Sequence, residues 1–163
     1  MSEKKRVAVY LRFKETLDDQ ATSHMWYYDC YKAIIKEHEG WQLAGFYVDE
    51  GSVKNQEDFK RLLEDCKSGK IDLIYARSVA RFGRNNIDAV QTAQYLSHLK
   101  PPVGVFFEQE NLNSLDDNSY FMLSVLLLVG LAERQQRSEI QKRARQRKLD
   151  ALNHAKEDDT DNA

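Results

Sequence analysis

A chain of 163 residues, 42% hydrophobic and 31% charged, is long enough for one well-buried core and too short for a catalytic domain plus a second module of ordinary size. Its formal net charge of −2 excludes a uniformly basic nucleic-acid binder but not a local basic stripe. No apolar run approaches the roughly 20 residues of a membrane span, and the residues from Met1 to Arg6 lead into a strand rather than a signal-peptide core, so a cytoplasmic protein is expected.

The run from Arg6 to Arg12 is short and β-branched, as a buried first strand would be. Between Thr22 and Lys36, Met25, Tyr28, Ile34 and Ile35 recur at helical spacing, closed by Gly40. Trp41 to Val48 reads as a second strand, with Asp49-Glu50-Gly51 as its turn. Phe59, Leu62, Leu63 and Cys66 make one face of a helix ending near Gly69. A third strand spans Asp72 to Ala76, a loop Arg77 to Asn86, and a helix Ile87 to about Leu99, stopped by Pro101 and Pro102. Val103 to Phe107 is a fourth strand.

Strands alternating with helices predict an α/β fold with a mostly parallel sheet of four to five strands, flanked by helices. Function is then expected at the carboxyl ends of the strands, where Arg12, Asp49 and the residues from Arg77 onward lie. Cys30 and Cys66 have neither disulfide nor metal-ligand spacing and are read as small apolar side chains. No metal and no cofactor are expected.

From Asn118 onward the residues contain no proline and a single glycine, Gly130, which predicts one long helix over about 118–155 behind a core of 1–117. Its first part is almost wholly apolar. Phe121, Met122, Val125, Leu126, Leu128 and Val129 are the candidate dimerisation residues, because a helix apolar on every side needs a second covering surface, and a second subunit is the simplest one. From Arg134 to Lys148 the helix turns basic. Arg137, Lys142, Arg143, Arg145, Arg147 and Lys148, opposed by Glu139 alone, suit a DNA phosphate backbone. The competing reading is a solvated helical extension. The acidic end, 156–163, is read as a disordered, solvated tail.

Several stretches in order resemble the catalytic domain of serine recombinases of the resolvase/invertase family, especially the large serine recombinases of mobile elements. They are Val9-Tyr10-Leu11-Arg12; Gly40-Trp41 through Tyr47-Val48-Asp49-Glu50-Gly51; Gly69 to Ile74 running into Ser78-Val79-Ala80-Arg81-Phe82-Gly83-Arg84-Asn85; Phe106 to Asn111; and Leu131-Ala132-Glu133. The resemblance spans about Arg6 to Ser138. It implies a resolvase-like fold, a long dimerising helix, and phosphodiester exchange through a serine that becomes linked to a DNA 5′ phosphate.

Such chemistry needs an in-line nucleophile and concentrated positive charge, which guanidinium groups supply in bidentate geometry where no metal does. The resemblance places Arg12, Arg81 and Arg84 at phosphate-binding positions, and Arg12, Arg77, Arg81 and Arg84 are expected to converge on one face. Three positions depart from the family. Lys14 stands at the nucleophile position, and an amine among arginines is held charged and non-nucleophilic. Gln56 stands at a catalytic arginine position, after a shortened Ser52-Val53-Lys54-Asn55 arm. Ala80 replaces a serine or aspartate. Thr16, Ser23 and Ser78 are the alternative hydroxyls, of which Ser23 and Ser78 match ordinary family serines.

The leading expectation is a catalytically inactive, DNA-associated regulatory or accessory factor in site-specific recombination, forming a homodimer or pairing with an active recombinase. Two alternatives stand beside it. One is an active recombinase with an atypical nucleophile, the other a dimerisation module with no nucleic-acid role.

Overall fold

The computed structural model describes residues 3–13, 20–51 and 56–160, with only the backbone of 20–23 and 155–160. β1 (Lys5–Phe13), β2 (Trp41–Glu50), β3 (Leu73–Ala76), β4 (Gly104–Phe107) and β5 (Leu112–Asn113) form one sheet in the order β2-β1-β3-β4-β5. The first four are parallel, and β5 runs antiparallel to β4. β1 lies inside the sheet, between β2 and β3, because its apolar residues leave no polar face: Val7, Ala8 and Val9 are completely buried. Its register against β2 shifts between Val7 and Ala8, which pair with Leu43 and Gly45, so Ala44 is the extra residue of a bulge on the edge strand.

Alternation along the strands divides the core into two layers. Val7, Val9, Leu11, Leu73 and Tyr75 face α1 (Gln20–Glu37), meeting Tyr31 and Ile35. Ala8, Tyr10, Ile74, Ala76, Val105 and Phe107 face the other way, onto α2 (Glu57–Lys67) and α4 (Asn86–Ser97). A four-residue helix, α3 (Val79–Phe82), lies in the segment expected to be a loop, and it adds Val79 and Phe82 to that second layer. Arg6 clamps Asp72 through Nε and Nη2 at 2.9 and 2.8 Å, with its backbone N–H also donating at 2.8 Å, so the start of β3 is fixed beside β1. That guanidinium holds the Asp72 carboxyl below the usual carboxylate range.

The long helix is α5 (Ser119–Thr160). Its span takes in most of the segment expected to be an acidic tail; residues 161–163 lie outside the described residues. The chain divides within this helix, into one unit up to Leu127 and a second from Leu128. In the first unit Leu123 is buried, and Leu126 and Leu127 pack against the same core as α2 and α4. Leu126, expected at a dimer surface, is therefore partly covered by its own subunit. Phe121, Met122 and Val125 are exposed, as are Leu128 and Val129 of the second unit. No helix among the described residues is long and apolar enough to cross a membrane.

Candidate phosphate site and its surroundings

Strand parity decides which side chains meet at the carboxyl ends of the strands. Arg12 shares the face of Ala8 and Tyr10, and its guanidinium reaches α3, where Nη2 donates to the Ala80 carbonyl at 2.9 Å and Nε to the Arg81 carbonyl at 3.3 Å. These carbonyls have no partner within so short a helix, so Arg12 satisfies them. The contact joins Arg12 to the segment carrying Arg81 and Arg84. A guanidinium has five N–H donors, so three of them have no partner among the described residues.

Arg84 is exposed, and its side chain shares a recess of about 200 Å³ with Gln56, Phe59, Lys60, Leu63, Asp88 and Thr92. α4 is anchored beside it by a reciprocal cap: Asn85 Oδ1 accepts from the Asp88 N–H at 2.9 Å, and Asp88 Oδ2 accepts from the Arg84 N–H at 3.0 Å. Gly83 packs against the first turn of α4 so closely that a Cβ there would lie 2.5 Å from the Ala89 nitrogen. The start of α3 is held less tightly, by the Val79 N–H donating to the Glu110 carboxylate at 3.3–3.4 Å.

Gln56 is not poised toward solvent. It is buried, and its Nε2 reaches 3.5 Å from the Tyr10 hydroxyl. Tyr10 in turn donates to Asp49 Oδ2 at 3.0 Å, and Asp49 accepts from the backbone N–H groups of Asp58 and Phe59, both at 3.0 Å. Asp49, from the end of β2, thus caps the N-terminus of α2, where the local cap residue Gln56 makes no side-chain cap. Burial first, and then the Asp49 carboxylate, push the Tyr10 phenol far above its ordinary value, so it stays a neutral donor.

The expected convergence of four arginines is corrected at Arg77. Two residues past Tyr75, it falls on the α1 face, where its Nη1 donates to the Tyr27 hydroxyl at 2.9 Å. Arg12 is tied to the α3 backbone at Ala80 and Arg81, and Gln56 and Arg84 line one recess beside α2 and α4; Arg77 lies on the other face of the sheet. Ser78 is buried in the α3 turn, its carbonyl accepting from the Arg81 and Phe82 N–H groups. Lys14 and Thr16 lie outside the described residues, and of Ser23 only the backbone is described. Arg137, Lys142, Arg143, Arg145, Arg147 and Lys148 are all exposed along α5, with Arg137 4.0 Å from Glu133. Sequence reasoning placed Asp49 at the functional end of the sheet without its role as the cap of α2, and left Tyr10 and Lys60 without a role.

Among the described residues no group of three or more histidine, cysteine, aspartate or glutamate side chains is placed to hold a metal. Cys66 sits in the core, where burial pushes its thiol up to about 12, and Cys30 is half-buried; both are free.

A parallel sheet sandwiched between α1 and the α2/α4 layer, with an arginine from β1 tied to an arginine-bearing turn after β3 and a long helix following, defines a resolvase-type domain. The model of the resolvase N-terminal domain family matches residues 7–151, and the chain belongs to that family. Among solved structures it is similar to a resolvase family site-specific recombinase from Streptococcus pneumoniae, at 25% identity and a TM-score of 0.68, covering 88% of this chain and 98% of that one. It is also similar in fold to the N-terminal catalytic domain of TP901-1 integrase, at 20% identity and a TM-score of 0.55, covering 81% and 98% of the two chains. No curated protein matches it in sequence.

Proposed function

We propose that this serine recombinase-like domain is inactive in DNA strand cleavage and acts as a dimerising regulatory or accessory factor in site-specific recombination. The observation that carries this reading is Gln56. At the position where the family resemblance calls for a catalytic arginine, the chain has a neutral amide, buried and turned toward Tyr10 instead of toward an incoming phosphate. Losing one transition-state donor typically costs about 3–4 kcal/mol of barrier lowering, and Lys14 at the nucleophile position removes the hydroxyl as well. Arg12, Arg81 and Arg84 retain the charge to hold a phosphate that nothing attacks.

On this reading Phe121, Met122, Val125, Leu126, Leu128 and Val129 pair with a second copy or with an active recombinase, and the stripe from Arg137 to Lys148 lies along the DNA backbone. Backbone contacts position a protein without specifying bases, so binding is weakly selective. Titration of a duplex with the purified chain at several salt concentrations tests the DNA role. Salt-sensitive binding is expected, and replacing Arg143, Arg145 and Arg147 by Ala lowers the slope of log affinity against log salt by roughly 2–3. No binding at low salt would leave only a dimerisation module.

A further inference from the structure

The face of the sheet away from Arg12 carries a recess of its own. A cavity of about 400 Å³ opens between Trp26, Tyr27 and Tyr31 of α1 and Arg77 and Glu108, which follow β3 and β4. That volume lies within the roughly 300–1,000 Å³ of small-ligand sites, and the carboxyl ends of parallel strands are where such sites form. Its wall is a run of rings: Trp26 meets Tyr27 edge-on at 5.1 Å, and Tyr27 stacks on Tyr31 at 6.3 Å. Trp26 is 62% exposed, so its indole face stands in solvent at the mouth.

The polar groups on the rim are only partly used. Arg77 gives one N–H to the Tyr27 hydroxyl and lies 5.4 Å over that ring, leaving further N–H groups without a partner among the described residues. The Tyr31 hydroxyl donates to Glu108 Oε2 at 2.8 Å and the Tyr75 hydroxyl also interacts with that carboxylate, which with about four acceptor sites still has room for another donor. An open aromatic face, a partly used acceptor and a cation with N–H groups unused among the described residues, all on one rim, match a flat ring with an edge N–H and an attached anion. An apolar protein segment would leave both charges without partners and desolvated.

We propose that this recess binds one unpaired nucleotide of single-stranded DNA, its base stacked on Trp26, its exocyclic amine donating to Glu108 and its phosphate held by Arg77. In a duplex both faces of the base are covered by neighbours, so only an unpaired strand can offer one. The acceptor at Glu108 favours bases with an exocyclic amine, cytosine, adenine and guanine, over thymine, which offers only its ring N3–H. The inference rests on the reading that the chain works on DNA, and it adds a contact separate from the α5 stripe.

The test uses the full chain with Trp41→Phe, which leaves Trp26 as the single tryptophan. A deoxycytidine decamer should quench Trp26 emission saturably and bind about tenfold more tightly than a deoxythymidine decamer, while Arg77→Gln weakens it by about tenfold. A labelled decamer followed by anisotropy on the otherwise unaltered chain provides a second measurement, in which Trp26→Ala loses most of the binding. Replacing Arg143, Arg145 and Arg147 by Ala should weaken duplex binding and its salt dependence and leave the quenching in place. Duplex binding without any Trp26 response overturns the inference and spares the DNA-associated reading. Equal quenching by duplex, indifference to Arg77→Gln, or unchanged anisotropy in Trp26→Ala also overturns it.

Discussion

Two residues around the phosphate site, and one at the opposite end of the sheet, carry consequences that single substitutions reveal. Asp49 accepts three hydrogen bonds at one buried point, from Tyr10 and from the first turn of α2. Asp49→Ala leaves those donors unmatched, so equilibrium urea unfolding should show a loss of about 2–4 kcal/mol; near-native stability would mean that α2 is capped by something else. Gly83 has no room for a methyl group against the Ala89 backbone, which cannot swing aside as a side chain can. Gly83→Ala should therefore cost about 1–3 kcal/mol in the same measurement and displace the turn that presents Arg84. At Asp72, Arg6 lowers the folded-state carboxyl below its unfolded value of about 3.9. The stability this supplies is present above the unfolded value and is lost as pH falls through the folded one, so the melting temperature should drop on acidification below about pH 5. Asp72→Asn should flatten part of that drop, and an unchanged acid limb would remove Asp72 from the account.

At the scale of elements, short continuous apolar runs located the four parallel strands, and helical spacing or the placement of proline and glycine located the long helices. β5 and α3 were not legible. A two-residue strand and a four-residue helix have no period to read, and each depends on partners distant in sequence, β4 for one and the Glu110 carboxylate for the other. Arg77 is a different failure: counting by twos from Leu73 and Tyr75 places it on the α1 face, so the signal was present and went unused. The cap of α2 comes from Asp49, across a loop, and no local capping pattern announces it. The Asn85–Asp88 reciprocal cap, by contrast, is written in consecutive residues. For α5, the exposed Phe121, Met122, Val125, Leu128 and Val129 predict self-association or pairing with a related chain. Leu128→Lys should raise a dimer dissociation constant at least about tenfold in light scattering across a dilution series; an unchanged constant would assign the apolar face elsewhere.

The whole molecule combines a resolvase-type scaffold with the proposed site, in which Arg12, Arg81 and Arg84 stand at the phosphate-binding positions that the family resemblance implies, while Lys14, Gln56 and Ala80 stand where it implies reacting or supporting groups. The scaffold could be read from ordered motifs. What the sequence could not supply was the inward turn of Gln56, which follows from the buried Tyr10–Asp49 pair beneath it. The opposite outcome, an active recombinase with an unusual nucleophile, would require the arginines to act on a phosphate with Lys14 or Thr16 attacking. Incubation of the purified chain with a nicked suicide duplex, followed by denaturing electrophoresis, separates the two most directly. The account predicts no covalent protein–DNA adduct under conditions in which the duplex is bound. An adduct that forms with the unaltered chain and disappears in Lys14→Ala or Thr16→Ala would contradict it.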